Sequence, residues 1–149
     1  MIDVKNLVTY NTAIELKALG FNQLCTYYCV EKLEKPRTKG KKFNCISMSY
    51  PTNWNSVDQK SALTKDVIYP YISIPNVYEA IRWVSTEIEK CLIHLSKEKR
   101  IAFDTMQYMT INEELSIVKV VLKRLITILI SGRRSIENKK TNQSYDKRK

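Results

Sequence analysis

The 149-residue chain has few glycines, few prolines and a single histidine. Three glycines and four prolines leave little material for linkers between domains, and no glycine-rich loop of the kind that cradles phosphates is present. His94 is the one imidazole that could serve a nucleophile as a base, and the G-x-S-x-G and H-E-x-x-H motifs are absent. The sequence therefore predicts one globular domain that is not an enzyme.

Long apolar runs are also missing. The most apolar stretch, LSIVKVVLKRLITILI, is interrupted by three cations, and its last apolar or Thr run covers only residues 125–130, against the roughly 20 residues that a membrane span requires. The amino terminus contains Asp3 and no apolar core, which predicts no signal peptide. We expect no membrane partner, a place in the cytoplasm of a bacterial host cell or in a virion, and four reduced cysteines.

The net charge of +10 is concentrated in two segments. A loop contributes five cations and no acid, the segment from residue 133 onward contributes seven cations against two acids, and the remaining 13 cations and 13 acids cancel. This distribution predicts a neutral body with two positive contact points. The twelve cations are Lys35, Arg37, Lys39, Lys41, Lys42, Arg133, Arg134, Lys139, Lys140, Lys147, Arg148 and Lys149.

The first half of the chain has the pattern of a helix followed by two strands. Thr12 and Glu15 have capping-box spacing, and Gly20 can end the resulting helix in the left-handed conformation. LCTYYCVE and FNCISMSY are rich in strand-forming residues and predict an antiparallel hairpin, whose connection is the basic loop. The polar stretch PTNWNSVDQKSALTKD then predicts a long loop.

The second half has the pattern of helix, hairpin and helix. In IPNVYEAIRWVSTEIEKC the apolar residues recur at spacings of four and three, which places them on one helix face. CLIHLSKEKRIAFDTMQY predicts strands near residues 92–96 and 101–108. The last predicted helix, whose apolar part extends from Ile111 to Ile130, stops at Ser131 with Gly132 as its left-handed cap. The residues of the predicted α-helical face are Val77, Ile81, Val84, Ile88 and Cys91.

These elements together predict an α+β fold of order αββαββα. About four antiparallel strands would form a sheet, with three helices packed on one face. The single domain would cover residues 1–132. Beyond it, residues 133–149 contain one aliphatic side chain and predict a disordered basic tail.

Two segments, TYNTAIELKALGFNQLCTYYC and ISIPNVYEAIRWVSTEIEKCLIHL, resemble a group of small uncharacterised proteins of gut Bacteroides and their phages. The resemblance extends over residues 9–130 in the order of elements and does not include the basic loop or the tail. It implies a phage or mobile-element origin and a shared fold. It implies no activity.

A metal site is the most specific chemical alternative. Cys25 and Cys29 would share one face of a predicted strand, Cys45 would lie on its neighbour, and His94 could be a fourth ligand. Structural zinc sites usually use close Cys-x-x-Cys pairs, and cysteines scattered among aromatics are more often core residues. We therefore expect no metal and no cofactor.

The charge distribution favours a nucleic acid or another polyanion as the partner, bound through the twelve cations. Tyr27, Tyr28, Tyr50 and Trp54 could stack on bases, although packing explains them equally well. Because the loop is mostly lysine, binding would be weakly sequence-specific. The alternative is a protein-interaction or virion component that dimerises or docks through the apolar last helix, with the cations serving solubility.

Overall fold

The computed structural model describes residues 4–30, 46–60, 68–109 and 113–146. The chain divides into two compact units, Met1–Asn76 and Val77–Lys149, called here the N-terminal and C-terminal units. The strands lie in the first and three of the described α-helices in the second, so the α+β class is confirmed. The single domain over residues 1–132 stays a prediction. No described helix has the length and apolar character needed to span a bilayer.

The N-terminal unit begins with helix α1, Tyr10–Ala18. Thr9 caps it, because its hydroxyl accepts a hydrogen bond from the Thr12 amide at 3.3 Å. The predicted capping by Thr12 was wrong, since Thr12 lies inside α1 and is buried. The predicted stop is confirmed: Gly20 has a φ of +95°, and Phe21 is buried immediately after it.

Four strands follow: β1 Cys25–Val30, β2 Ser47–Thr52, β3 Asp58–Lys60 and β4 Ile68–Ser73. They pair antiparallel in the order β2-β1-β4-β3, so the predicted β1–β2 hairpin is confirmed. The polar stretch after it was wrongly predicted to be a loop throughout, because it also contains the end of β2, a 3₁₀ turn and β3. Sequence patterns missed β4, whose Pro70 weakens the strand signal.

The C-terminal unit begins with helix α2, Val77–Lys90, and all five residues of its predicted apolar face are buried. The predicted second hairpin is wrong. A 3₁₀ turn, Leu92–His94, and helix α3, Lys97–Met109, occupy those positions. Ser96 explains the difference, because its hydroxyl accepts a hydrogen bond from the Lys99 amide at 3.3 Å and so caps α3.

Helix α4, Leu115–Asp146, continues through Gly132, so both the predicted stop and the predicted disordered tail are wrong over the described residues. In the described part of the chain, Gly20 is the only residue with positive φ, and Gly132 is ordinary helix. Position 132 requires glycine for another reason, because a Cβ atom there would lie 2.6 Å from Cys91 Sγ. The described order of α-helices and strands is thus αββββααα instead of αββαββα.

Candidate anion-binding surface

The structure places four of the twelve predicted cations on α4. Arg133, Arg134, Lys139 and Lys140 all lie in the stretch that was expected to be disordered. At about 100° per residue, Arg133 and Lys140 point to the same side of the helix, whereas Arg134 points about 100° away from Arg133. The eight other predicted cations lie outside the described residues: Lys35, Arg37, Lys39, Lys41, Lys42, Lys147, Arg148 and Lys149.

Arg133 has a partner within the protein. One guanidinium nitrogen lies 3.7 Å from a carboxylate oxygen of Glu87 on α2, and the other Glu87 oxygen accepts a hydrogen bond from Lys90 at 3.1 Å. Burial raises the pKa of the neighbouring Cys91 thiol, and the positive charge of Arg133 opposes that rise. Arg133 is therefore less available to an external anion than a solvated arginine would be.

Lys139 contacts the single histidine. Its Nζ lies 3.4 Å from His94 Nδ1, on the 3₁₀ turn that follows α2. Cys25 and Cys29 are buried on β1, and Cys45 lies outside the described residues. Within residues 4–30, 46–60, 68–109 and 113–146, no group of three or more His, Cys, Asp or Glu side chains could hold a metal ion.

An open cleft of 320 Å³ lies between the first turns of α3 and the middle of α4. Lys99 enters it from α3, where its ammonium donates a hydrogen bond to the Ser131 hydroxyl. Arg134 enters it from α4, one turn beyond Ile130. The cleft therefore combines two cations and two hydroxyls with an apolar floor. Its lining residues are Lys99, Thr127, Ile128, Ile130, Ser131 and Arg134.

Lys123 extends this positive surface along α4. It lies one turn before Thr127, whose hydroxyl donates a hydrogen bond to the Lys123 carbonyl at 3.1 Å. Along the helix axis, Lys123 is about 16 Å from Arg134. Lys99, Lys123 and Arg134 are exposed. In the part of the chain that the structure describes, no carboxylate lies within 4.0 Å of any of the three. We call these three cations, with Thr127 and Ser131, the outer basic face.

Sequence reasoning found only one cation of the outer basic face, Arg134. Lys99 was assigned to the turn of a hairpin that does not form, and Lys123 was seen only as an interruption of an apolar run. Two helix signals could have identified them. Ser96 has the residue type of a helix cap and marks the start of α3. Lys123 lies on the same side of α4 as Arg134, eleven residues later.

A second feature is the aromatic cluster of Tyr28, Trp54 and Tyr71 in the N-terminal unit. The Tyr28 and Trp54 rings stack with centroids 4.1 Å apart and planes at 25°. Tyr71 meets Tyr28 edge-on at 5.3 Å and lies 5.3 Å from Trp54. Two of the predicted stacking residues thus come together. Tyr50 is 87% exposed on β2 and takes no part in the cluster.

No protein-family model, curated protein or solved structure matches this chain. The outer basic face and the aromatic cluster are the features from which a function is inferred.

Proposed function

We propose that this protein is a small non-enzymatic accessory protein of phage type that binds nucleic acid in the host cytoplasm or the virion. The outer basic face is the described surface that contacts phosphate. The observation that supports this assignment most strongly is the convergence of Lys99 and Arg134 on one open cleft, with no carboxylate in range among the described residues. Such cations are available to neutralise phosphates and release counterions.

The arrangement suits a phosphate backbone better than a base edge. Lys99 and Lys123 are point charges on flexible stems, whereas direct base readout relies on fixed bidentate groups such as arginine, asparagine or glutamine. Thr127 and Ser131 add hydroxyls of the kind that bond phosphate oxygens. Binding should therefore depend weakly on sequence.

The basic loop and the end of the chain remain part of the proposal on grounds of charge. The five cations between residues 35 and 42, and the three from residue 147 onward, would add phosphate contacts to those of the outer basic face. Arg133 and Lys139 would contribute less, because Glu87 and His94 already lie beside them.

The alternative, docking or dimerisation through the apolar part of α4, receives less support. Most of its apolar side chains are buried, among them Val118, Leu122, Leu125 and Leu129. The large exposed hydrophobics on the described part of α4 are Ile117 and Val120. Two such side chains are a small patch beside the roughly 800 Å² that each partner buries in a typical specific interface. A protein-interaction or virion role would therefore need another surface.

Filter binding across a salt series tests the proposal. Three phosphate contacts of the outer basic face with duplex DNA give a slope of about −2.7 in log K against log salt, and so a loss of roughly 40-fold between 50 and 200 mM salt. Loop and terminal contacts would make the slope steeper. Binding that does not change over this range, or no binding to duplex or single strands at 50 mM salt, would overturn the proposal.

A further inference from the structure

The aromatic cluster is held against β1 and is only partly covered. The indole nitrogen of Trp54 donates a hydrogen bond to the Cys25 carbonyl at 2.7 Å, which fixes the ring plane against β1. Tyr28 then stacks on that fixed indole. All three rings are half-buried, and in the described residues neither tyrosine hydroxyl makes a hydrogen bond. A ring that is already oriented loses little conformational freedom when a planar ligand stacks on it.

Two buried polar groups without hydrogen-bond partners in the described part of the chain belong to neighbours of cluster residues, one by strand pairing and one in sequence. Ser73 on β4 pairs in register with Tyr28, lies two residues from Tyr71 and is 1% exposed. Its hydroxyl has no hydrogen-bond partner among the described residues, and neither has the buried side-chain carbonyl of Asn53, the residue before Trp54. Buried polar atoms are rarely left without a partner in a folded protein. Packing among the three aromatic rings does not explain why these two polar atoms lack hydrogen-bond partners among those residues.

A cation is bonded to the main chain of one cluster residue. The Lys17 ammonium donates a hydrogen bond to the Tyr71 backbone carbonyl at 2.9 Å. The partly covered rings can stack on a base, and Lys17 adds a positive charge at β4. Proteins that bind single strands combine the same elements, because every base has a face on which an aromatic side chain can stack.

We infer that the cluster of Tyr28, Trp54 and Tyr71 is a stacking site for an unpaired nucleobase, so that the nucleic acid bound by this protein is single-stranded at that point. The inference rests on the proposed function and adds the ligand class. The bases of an intact duplex are stacked on each other and cannot reach the rings. The site therefore distinguishes single strands from duplexes, which the outer basic face does not.

Trp54 fluorescence tests the inference in a Trp83→Phe protein, where Trp54 is the one remaining tryptophan. The probes are a ten-nucleotide thymidine strand, an abasic strand of equal length and charge, and the thymidine mononucleotide. Stacking should quench Trp54 with the thymidine strand and leave it unchanged with the abasic strand. Equal quenching by both strands would overturn the inference, and so would a mononucleotide that binds as tightly as the strand.

Tyr28→Ala, with Tyr108→Ala as the control, supplies the affinity test. Tyr108 is 82% exposed on α3, outside the cluster. We expect Tyr28→Ala to weaken thymidine-strand binding about tenfold and duplex binding hardly at all, and Tyr108→Ala to change neither. If Tyr28→Ala binds the thymidine strand as tightly as the parent does, the stacking site is refuted while the proposed function stands. If the parent protein binds no nucleic acid, both the stacking site and the proposed function are refuted. The fluorescence comparison decides the matter if Tyr28→Ala does not fold.

Discussion

Gly132 lies against Cys91 so closely that a Cβ atom on the glycine would be 2.6 Å from the cysteine Sγ and 3.1 Å from Leu95 Cδ2. The glycine therefore permits α4 to pass the end of α2 at this distance. A left-handed helix cap, the reason for which glycine is usually found near a helix end, is not its role here.

Gly132→Ala should consequently destabilise the protein. Alanine gains up to about 1 kcal/mol of helix propensity over glycine, but overpacking at a buried contact typically costs about 1–3 kcal/mol. We expect a lower urea midpoint, with partial recovery in Cys91→Ala/Gly132→Ala. Asn138→Ala, at an exposed position on the same helix, serves as the control. A more stable Gly132→Ala protein would contradict the close contact.

Arg133→Gln should make the Cys91 thiol less reactive at a given pH. Burial raises the pKa of this thiol and the Arg133 charge lowers it, so removing the charge raises the pKa further. The pH profile of iodoacetamide labelling, followed at Cys91 by peptide mass spectrometry, should move to higher pH. Arg134→Gln is the matched control and should leave the pH profile of labelling unchanged. A shift to lower pH in Arg133→Gln would refute the placement of Arg133.

Ser96→Ala should weaken α3. Its hydroxyl accepts the Lys99 amide proton, and loss of an N-cap of this kind costs about 1 kcal/mol. Thermal or urea unfolding measures the effect, and Ser96→Asp should retain most of the stability because aspartate also caps. Ser116→Ala on exposed α4 surface is the control. If Ser96→Ala unfolded at the same midpoint as the parent, a stabilising cap at Ser96 would be excluded.

The correctly predicted elements are those whose signal is local. The apolar face of α2, the left-handed Gly20 and the β1–β2 hairpin each follow from periodicity or one residue's conformation. The run IAFDTMQY has strand-like composition but lies in α3, which Ser96 caps and which packs against α4. Gly132 could not be interpreted from sequence, because its function is a contact with Cys91, forty-one residues earlier.

The same distinction applies to the candidate site. Composition alone located Arg133 and Arg134, but it could not show that Glu87 pairs with the first and that the second enters a cleft. Lys99 joins Arg134 only because α3 packs beside α4. Which cations converge is a property of helix packing, and local sequence contains little information on that.

The central claim is that the outer basic face binds nucleic acid phosphate, and charge reversal at that face tests it most directly. Lys99→Glu/Arg134→Glu is compared with Arg82→Glu/Lys97→Glu, which also replaces two exposed cations. Each replacement changes the charge by two, so both proteins fall from +10 to +6. Affinity and salt dependence are measured by filter binding, with circular dichroism to verify folding. We expect the first variant to bind at least about tenfold more weakly, with a salt slope shallower by about 2, and the second to lose much less. Equal affinities for the two folded variants would contradict the claim.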